Sequence, residues 1–147
     1  MTHLRPAQPT DAGAVGAILS GFIDCTAWMP RIHTRAEDLS FAGHMIERGW
    51  VTVAEQSGQI CAFSARNGAD VHALYVDAGA QGQGIGADLL AEMQAASDHL
   101  TLWTFETNTG AQRFYLRHGF VEVERTDGVR NDEGLPDIRY DWYKEGA

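Results

Sequence analysis

The sequence predicts an α/β (α+β) fold in which a mixed, mostly antiparallel sheet of about seven strands is flanked by about four helices. Three strand patterns follow one another between residues 50 and 76 with only short turns between them, which is typical of an antiparallel meander. Helical patterns lie on both sides of that meander, whereas a doubly wound sheet would not place a meander in its middle. The 147 residues, 44% of them hydrophobic, suffice for one core, so residues 1–147 are expected to form a single domain.

The first half of the chain has the signals of a strand, two helices and the meander. The expected elements are, in order, a strand at 4–7, a helix that ends near Gly21, a helix through about Arg48, and strands at 50–55, 60–65 and 71–76. Thr10 or Asp11 can cap the first helix, because both side chains accept hydrogen bonds from helical N–H groups. Thr34 and Glu37 have the spacing of a capping box for the second helix. Two turn dipeptides join the strands as hairpins, Ser57-Gly58 and Asn67-Gly68.

The second half alternates helices and strands after a glycine-rich turn. The expected elements are a helix after residue 84, a strand at 100–105, a helix at 108–118, and strands at 120–124 and 138–143. Leu89, Leu90 and Met93 give the first of these helices an apolar face, and Gly119 is placed to end the second. A polar loop at 127–136 separates the last two strands.

The net charge, the cysteine positions and the apolar stretches exclude some classes of function. The formal net charge of −9 argues against a nucleic-acid-binding or anionic-membrane surface, because both partners require a cationic protein face. The same charge is compatible with an amine substrate, or simply aids solubility. Cys25 and Cys61 belong to no metal-ligand pattern and are expected to be core or half-buried thiols. The sequence contains no apolar stretch of signal-peptide or membrane-spanning length, so we expect a cytoplasmic protein.

A glycine-rich turn between a strand pattern and a helix pattern predicts a phosphate-bearing ligand. Gly82, Gly84 and Gly86 let the backbone approach a ligand closely, and the helix that follows adds its positive dipole end. One interpretation is a dinucleotide fingerprint, Gly82-x-Gly84-x-x-Ala87, with Glu106 as the ribose-binding acid. We disfavour it because five residues separate the strand from Gly82 and too little chain follows to complete a doubly wound sheet.

A second pattern fits the same turn better. The turn contains Gln81-x-x-Gly84-x-Gly86 preceded by Leu74-Tyr75-Val76-Asp77, and a second block follows in the right order, Asn108-x-x-Ala111-x-x-Phe114-Tyr115-x-x-x-Gly119-Phe120. With these blocks the chain resembles the GCN5-related N-acetyltransferase (GNAT) family over residues 4 to about 125. The resemblance implies the GNAT acyl-CoA N-acyltransferase fold, with its sheet splayed at the cofactor site. It also implies acetyl transfer from acetyl-CoA, without a metal, to a primary amine of a small molecule or peptide by direct attack.

The resemblance further implies a set of cofactor-binding residues. At the matching positions they are Leu74, Val76, Gln81, Gly82, Gly84, Gly86, Ala87 and Asn108. Turn amides from Gln81 to Ala87 would hold the pyrophosphate, and strand amides beside Leu74 and Val76 would meet the acetyl carbonyl and the pantetheine arm. The sequence directly supports another role for Asn108, that of a helix N-cap.

Tyr115 is the expected acid that protonates the CoA sulfur. In the resembling family the tyrosine at this helix position points to the thiol, and a phenol near its ordinary pKa of about 10 stays protonated at neutral pH. The alternative is a buried aromatic side chain that packs beside Phe114.

The sequence does not identify the general base. Some family members place a glutamate five residues before the motif asparagine, and this position is Trp103 here. Three residues are available as substitutes: Glu106 near a strand end, His72 at the start of the strand that should hold the acetyl group, and His33 in the lid that the first two helices would form. A water chain, or an amine that arrives neutral, can also serve.

The acceptor side is expected in the loop Trp28-Met29-Pro30-Arg31-Ile32-His33-Thr34, since this region lines the acceptor site in the resembling family. Trp28 and His33 are therefore candidate substrate-binding residues, with packing of Trp28 in the core as the alternative. Acidic residues at 131–137 either bind an ammonium group or form a solvated loop. A non-catalytic acyl-CoA-binding sensor or regulatory module is the alternative function, and either protein is compatible with a homodimer.

Overall fold

The structure, a computed structural model, describes residues 2–145 and contains one seven-stranded sheet in the order β1-β2-β3-β4-β5-β7-β6. The strands are β1 Thr2–Pro6, β2 Val51–Gln56, β3 Gln59–Asn67, β4 Asp70–Val76, β5 His99–Phe105, β6 Val121–Thr126 and β7 Asp137–Tyr143. The helices are α1 Ala12–Cys25, α2 Arg35–Glu47, α3 Ile85–Ala96 and α4 Thr109–Arg117, with short 3-10 turns at Pro9–Asp11 and Ala78–Ala80. Only β4 and β5 pair in parallel. The predicted fold class is confirmed.

The helices cover both faces of the sheet, because successive residues of a strand point to opposite sides. α1 and α2 bury Val15 and Met45 against Val53 and Phe63 on one face. The opposite core combines residues from α3, α4 and their flanking strands, among them Leu90, Met93, Leu100, Leu102, Tyr115, Phe120, Ile138 and Tyr140. This double-sided packing fixes the strands that border the site.

α1 is longer than the sequence predicts. The helix passes through Gly21 and ends at Cys25 instead of ending near Gly21. Glycine inside a helix costs about 1 kcal/mol, and the last turn offsets that cost by packing Phe22 on Tyr75 with ring centroids 4.8 Å apart. Cys25 is therefore exposed at the helix end, contrary to the prediction of a core or half-buried thiol, whereas Cys61 is buried as predicted.

Of the N-caps predicted for α1 and α2, only that of α2 is present. The capping box is confirmed, since Thr34 Oγ1 accepts from the Glu37 N–H at 3.1 Å and Glu37 Oε1 accepts from the Thr34 N–H at 2.9 Å. Asp11 precedes α1 but makes no side-chain cap to it, because its carboxylate accepts from the Gln8 N–H at 2.7 Å and closes the 3-10 turn. None of the helices that residues 2–145 form has the length and apolar character that a bilayer crossing requires.

The sheet opens between its two central strands. β4 and β5 share a single residue pair, Asp70 with Thr101, and then diverge, which confirms the expected splay. The pairing of β4 with β3 also skips His72, so this residue is the extra one of a β-bulge. The bulge and the divergence leave the C-terminal half of β4 facing an opening.

Candidate functional site

A cleft of about 110 Å³ occupies the opening between β4 and β5. Its walls come from β4, β5, the start of α4 and the α1 end, and the lining residues include Phe22, Met29, Leu74, Tyr75, Phe105, Asn108 and Tyr115. Strand β4 leads from this cleft to Val76, and a Cβ added at Gly86 of the glycine-rich turn would lie 3.6 Å from the Val76 side chain.

The backbone of β4 presents free groups to this cleft. The Asp77 N–H donates to Cys61 O of β3 at 2.8 Å, and backbone groups alternate sides along an extended strand. Leu74 and Val76 therefore direct their N–H groups toward the opening, where β5 provides no paired residue. Gln81 Nε2 donates to Val76 O at 3.2 Å and ties the turn to the strand end. The geometry is compatible with the predicted roles of all three residues.

The glycine-rich turn is open to a ligand. Gly82 and Gly84 have φ of +81° and +79°, and a Cβ added at either position would meet nothing within 4 Å. The first N–H of α3 with a backbone acceptor in the described residues is that of Asp88, which donates to Gly84 O at 3.0 Å. The N–H groups of residues 85–87, which include Gly86 and Ala87, remain available. Free amides at a helix N-terminus form an anion site.

Tyr115 and Asn108 border the cleft from α4. The Tyr115 side chain is buried, with its ring edge-on to Phe114 and Phe120 at centroid distances of 5.1 and 5.3 Å. Burial raises the pKa of Tyr115 above its ordinary value, and nearby Tyr75 adds to this shift. Asn108 Oδ1 accepts from the Ala111 N–H at 3.1 Å, which confirms the predicted N-cap. Tyr115 thus packs in the core between Phe114 and Phe120 and also lines the cleft.

The three candidate bases lie apart. His72 lines the cleft, is exposed, and stacks on Trp50 with ring centroids 4.8 Å apart. Glu106 is exposed and is absent from the lining of the cleft, whereas Trp103 does line it. Among residues 2–145, no three His, Cys, Asp or Glu side chains converge as a metal ion would need.

A second cavity of about 570 Å³ adjoins the cleft, and we name it the acceptor cavity after the role that the sequence predicts for this region. The two share four lining residues, Phe22, Met29, Tyr75 and Phe105. His33 lines the acceptor cavity, with its Nδ1 3.7 Å from Glu37 and its Nε2 3.7 Å from Asp132. Trp28 lines neither space and instead packs edge-on to Phe105 at 5.7 Å, so it supports the wall.

Residues that the sequence analysis did not single out form the junction of the two spaces. Tyr75 stands there between the rings of Phe22 and Phe63, at 4.8 and 5.8 Å. Burial and the charge of Glu133 raise the pKa of Tyr75 to about 12. The aromatic character of residue 75 within the first motif block was the available signal, but its neighbours come from distant parts of the chain.

Arg31 holds the α1–α2 linker that walls the acceptor cavity. Its guanidinium donates to Asp24 at 2.7 Å, to Asp38 at 2.9 Å and to the carbonyls of Ser20 and His33. Asp38 is 4% exposed and also accepts from Ser20 Oγ. The network lowers the pKa of Asp24 and raises that of Arg31 through mutual hydrogen bonds.

Comparison with known proteins places these features in context. The family described as acetyltransferase (GNAT) domain matches residues 47–122. Peptidyl-lysine N-acetyltransferase YjaB of Salmonella typhimurium is 33% identical over 78 residues, a match that spans 53% of this chain and 53% of that relative. The chain therefore aligns with about half the length of this curated relative.

Two solved structures share the fold. The apo form of YjaB from Escherichia coli superposes with a TM-score of 0.80 at 21% identity, covering 98% of this chain and 99% of that one. The structure of yncA from Salmonella typhimurium with its cofactor acetyl-CoA superposes with a TM-score of 0.76 at 19% identity, covering 100% of this chain and 96% of that one.

Proposed function

The chain belongs to the GNAT acetyltransferase family, and we propose that it is an acetyl-CoA-dependent N-acetyltransferase. Its acceptor is a primary amine of a small molecule or peptide, which attacks directly in a ternary complex. The observation that carries the proposal is the divergence of β4 from β5 beside an open glycine-rich turn, with Tyr115 across the gap. The acetyl-CoA bound to yncA and the peptidyl-lysine specificity named for YjaB are compatible with it.

The free backbone amides fit acetyl-CoA. Amides of residues 82–87 hold the pyrophosphate, since Gly82 and Gly84 leave open space above the turn. The N–H groups of Leu74 and Val76 bind the acyl carbonyl and the pantetheine arm, and they stabilise the oxyanion that forms during attack. When bound, acetyl-CoA supplies the acetyl group as an activated thioester.

Tyr115 donates the proton that the departing sulfur needs. The raised pKa of Tyr115 keeps its hydroxyl protonated at neutral pH, so the donor is present whenever substrate binds. Asn108 Nδ2 has no protein acceptor among residues 2–145 and is free to bind a carbonyl of the pantetheine arm.

Proton removal from the amine has several candidate routes. His72 borders the cleft and His33 borders the acceptor cavity, and both are better placed than Glu106. Water, or an amine that binds neutral, replaces them if neither is required. Single substitutions of His72, His33 and Glu106, followed by kcat/KM against pH, distinguish these routes.

Cofactor binding is tested by thermal unfolding with and without acetyl-CoA. A ligand at 100 times its Kd stabilises the native state by about 2.7 kcal/mol, which raises Tm by several degrees. Gly84→Val should remove most of this rise, because the new side chain occupies the space above the turn. Gly49→Val is the matched control, since Gly49 has φ of +76° and open surroundings but lies far along the chain from the turn. Equal Tm rises in both folded variants would contradict the pyrophosphate site.

A second candidate function is an acyl-CoA-binding sensor without turnover. Trp103 occupies the position of the family's glutamate, and no Asp or Glu of residues 2–145 lines the cleft. Release of free CoA in the presence of a panel of primary amines distinguishes the two candidates. A sensor would show the Tm rise with acetyl-CoA but no amine-dependent release.

A further inference from the structure

Glu133 lines the acceptor cavity, which shares Tyr75 with the cleft. It belongs to the β6–β7 loop and is half-buried. Its charge acts on Tyr75, one of the four residues shared by the two spaces. A group bound to this carboxylate would therefore occupy the cavity that opens onto the cleft at Tyr75.

The loop that carries Glu133 is well defined. Asn131 Nδ2 donates to Leu135 O at 2.8 Å and to Asp137 Oδ2 at 3.2 Å, which closes the loop around residue 133. Gly128 packs so closely that an added Cβ would lie 2.1 Å from Leu135 O. The carboxylate position is thus set by the fold of the loop.

Each of the other acidic groups of the acceptor cavity lies near an arginine or histidine side chain. Asp38 is paired with Arg31, while Glu37 and Asp132 both lie 3.7 Å from His33. Glu133 makes no hydrogen bond or ion pair within residues 2–145, and the cavity lining contains no Lys or Arg. A half-buried carboxylate without a partner favours a cationic ligand.

The rest of the cavity wall is largely apolar. It is formed by side chains of α1, α2 and their linker, namely Leu19, Phe22, Ile23, Met29, Ile32 and Phe41. On another side His33 spans from α2 to the β6–β7 loop and narrows the rim. A volume of about 570 Å³ accommodates a small molecule with an apolar body.

We propose that Glu133 binds the ammonium group of the acceptor, and that the acceptor is a small monocationic amine with an apolar aryl or alkyl body and no carboxylate. This inference rests on the proposed acetyltransferase function and specifies its substrate class. A carboxylate on the acceptor would enter a cavity whose described lining contains four acidic side chains and no Lys or Arg, so like-charge repulsion disfavours amino acids.

The test compares 2-phenylethylamine with phenylalanine, which has the same body and an added carboxylate. Wild-type kcat/KM, measured by release of free CoA, should be at least roughly tenfold higher for 2-phenylethylamine. Glu133→Gln should lower kcat/KM for this amine by roughly tenfold or more through KM, because a charge-assisted hydrogen bond is lost. Glu133→Asp should retain part of the activity. Glu92→Gln, on the exposed face of α3, is the matched charge control and should leave kcat/KM for 2-phenylethylamine unchanged.

The rise in Tm with acetyl-CoA tests the proposed acetyltransferase function separately from the proposed role of Glu133. All variants should retain that rise, because the turn lies outside the acceptor cavity. Wild-type turnover of a lysine peptide or of phenylalanine in preference to 2-phenylethylamine would overturn the inference and sustain the acetyltransferase function. A Glu133→Gln enzyme with unchanged KM would also overturn it. If the wild-type protein shows neither a rise in Tm with acetyl-CoA nor turnover of any amine, both the proposed function and this inference are wrong.

Discussion

Tyr115 is the single residue on which the proposed chemistry most directly depends. Its ring is fixed by Phe114 and Phe120, so Tyr115→Phe removes the hydroxyl and keeps the packing. We expect kcat to fall by about 10² to 10⁴ with an unchanged Kd for acetyl-CoA, because the proton is needed only as the sulfur departs. The comparison requires conditions in which chemistry limits turnover. Tyr143→Phe, at an exposed residue of β7, is the control, and a Tyr115→Phe enzyme with wild-type kcat would show that the residue only packs.

Asp11 illustrates a purely structural charge. Arg5 donates to both carboxylate oxygens, at 2.8 and 3.2 Å, and the Arg5 and Gln8 hydrogen bonds lower the pKa of Asp11 in the folded state. A lowered folded pKa stabilises the fold above the ordinary value of about 4, and this stabilisation is lost as pH falls through the folded pKa.

Asp11→Asn should therefore cost about 1 to 2 kcal/mol of unfolding free energy at pH 7 and less at pH 3. Urea unfolding at the two pH values measures the difference. Asp70→Asn, at the exposed start of β4, should change little at either pH. A cost for Asp11→Asn that is the same at both pH values would show that the ion pair does not contribute.

At the scale of elements, the α1–α2 linker is held by Arg31. Its removal leaves Asp38, which is 4% exposed, with only the Ser20 hydroxyl as a side-chain partner. We expect Arg31→Ala to destabilise the protein by about 2 to 3 kcal/mol, because an unpaired buried charge is costly. Arg35→Ala removes an ion pair at a side chain that is 74% exposed and should cost less than about 1 kcal/mol. Equal losses in urea unfolding would mean that Asp38 is not held by Arg31.

The elements with strong local signals were predictable from the sequence. Thr34 and Glu37 form the expected capping box, and Gly82 and Gly84 adopt the left-handed backbone that a phosphate-binding turn uses. The extra turn of α1 was not predictable, because it depends on Phe22 meeting Tyr75 of a strand far along the chain.

The same limit applies to the candidate site. The two motif blocks identify the strand, the turn and α4, since each is a continuous segment. The acceptor cavity instead joins side chains of α1, α2, β4 and the β6–β7 loop. Glu133 lies in a polar loop without periodicity, so only the fold brings it to Tyr75. For this reason the cofactor-binding residues could be predicted from the sequence more completely than the residues of the acceptor cavity.

At the scale of the whole molecule, the seven strands form one sheet, but the hydrogen-bonded pairing is nearly absent between β4 and β5. Strands β1 to β4 form one ladder and β5 to β7 another, and a single residue pair, Asp70 with Thr101, links them. α3 helps to join the halves, since it contributes to the core around Leu102 and to the smaller core around Ala62. A ligand in the cleft would contact both ladders and replace the missing strand pairing.

Acetyl-CoA should therefore slow amide hydrogen exchange at two groups of sites, the β4 amides of Leu74 and Val76 and the turn amides of residues 82–87. These N–H groups lack backbone acceptors in the described residues and gain them only from the ligand, so protection should increase there by the largest factor. The β6–β7 ladder is paired along both strands except for a bulge at Val123, and neither strand lines the cleft, so its exchange should change little. Exchange measured by NMR with and without acetyl-CoA tests this pattern. Uniform slowing across both ladders would indicate general stabilisation alone, and protection confined to β6–β7 would place the cofactor elsewhere.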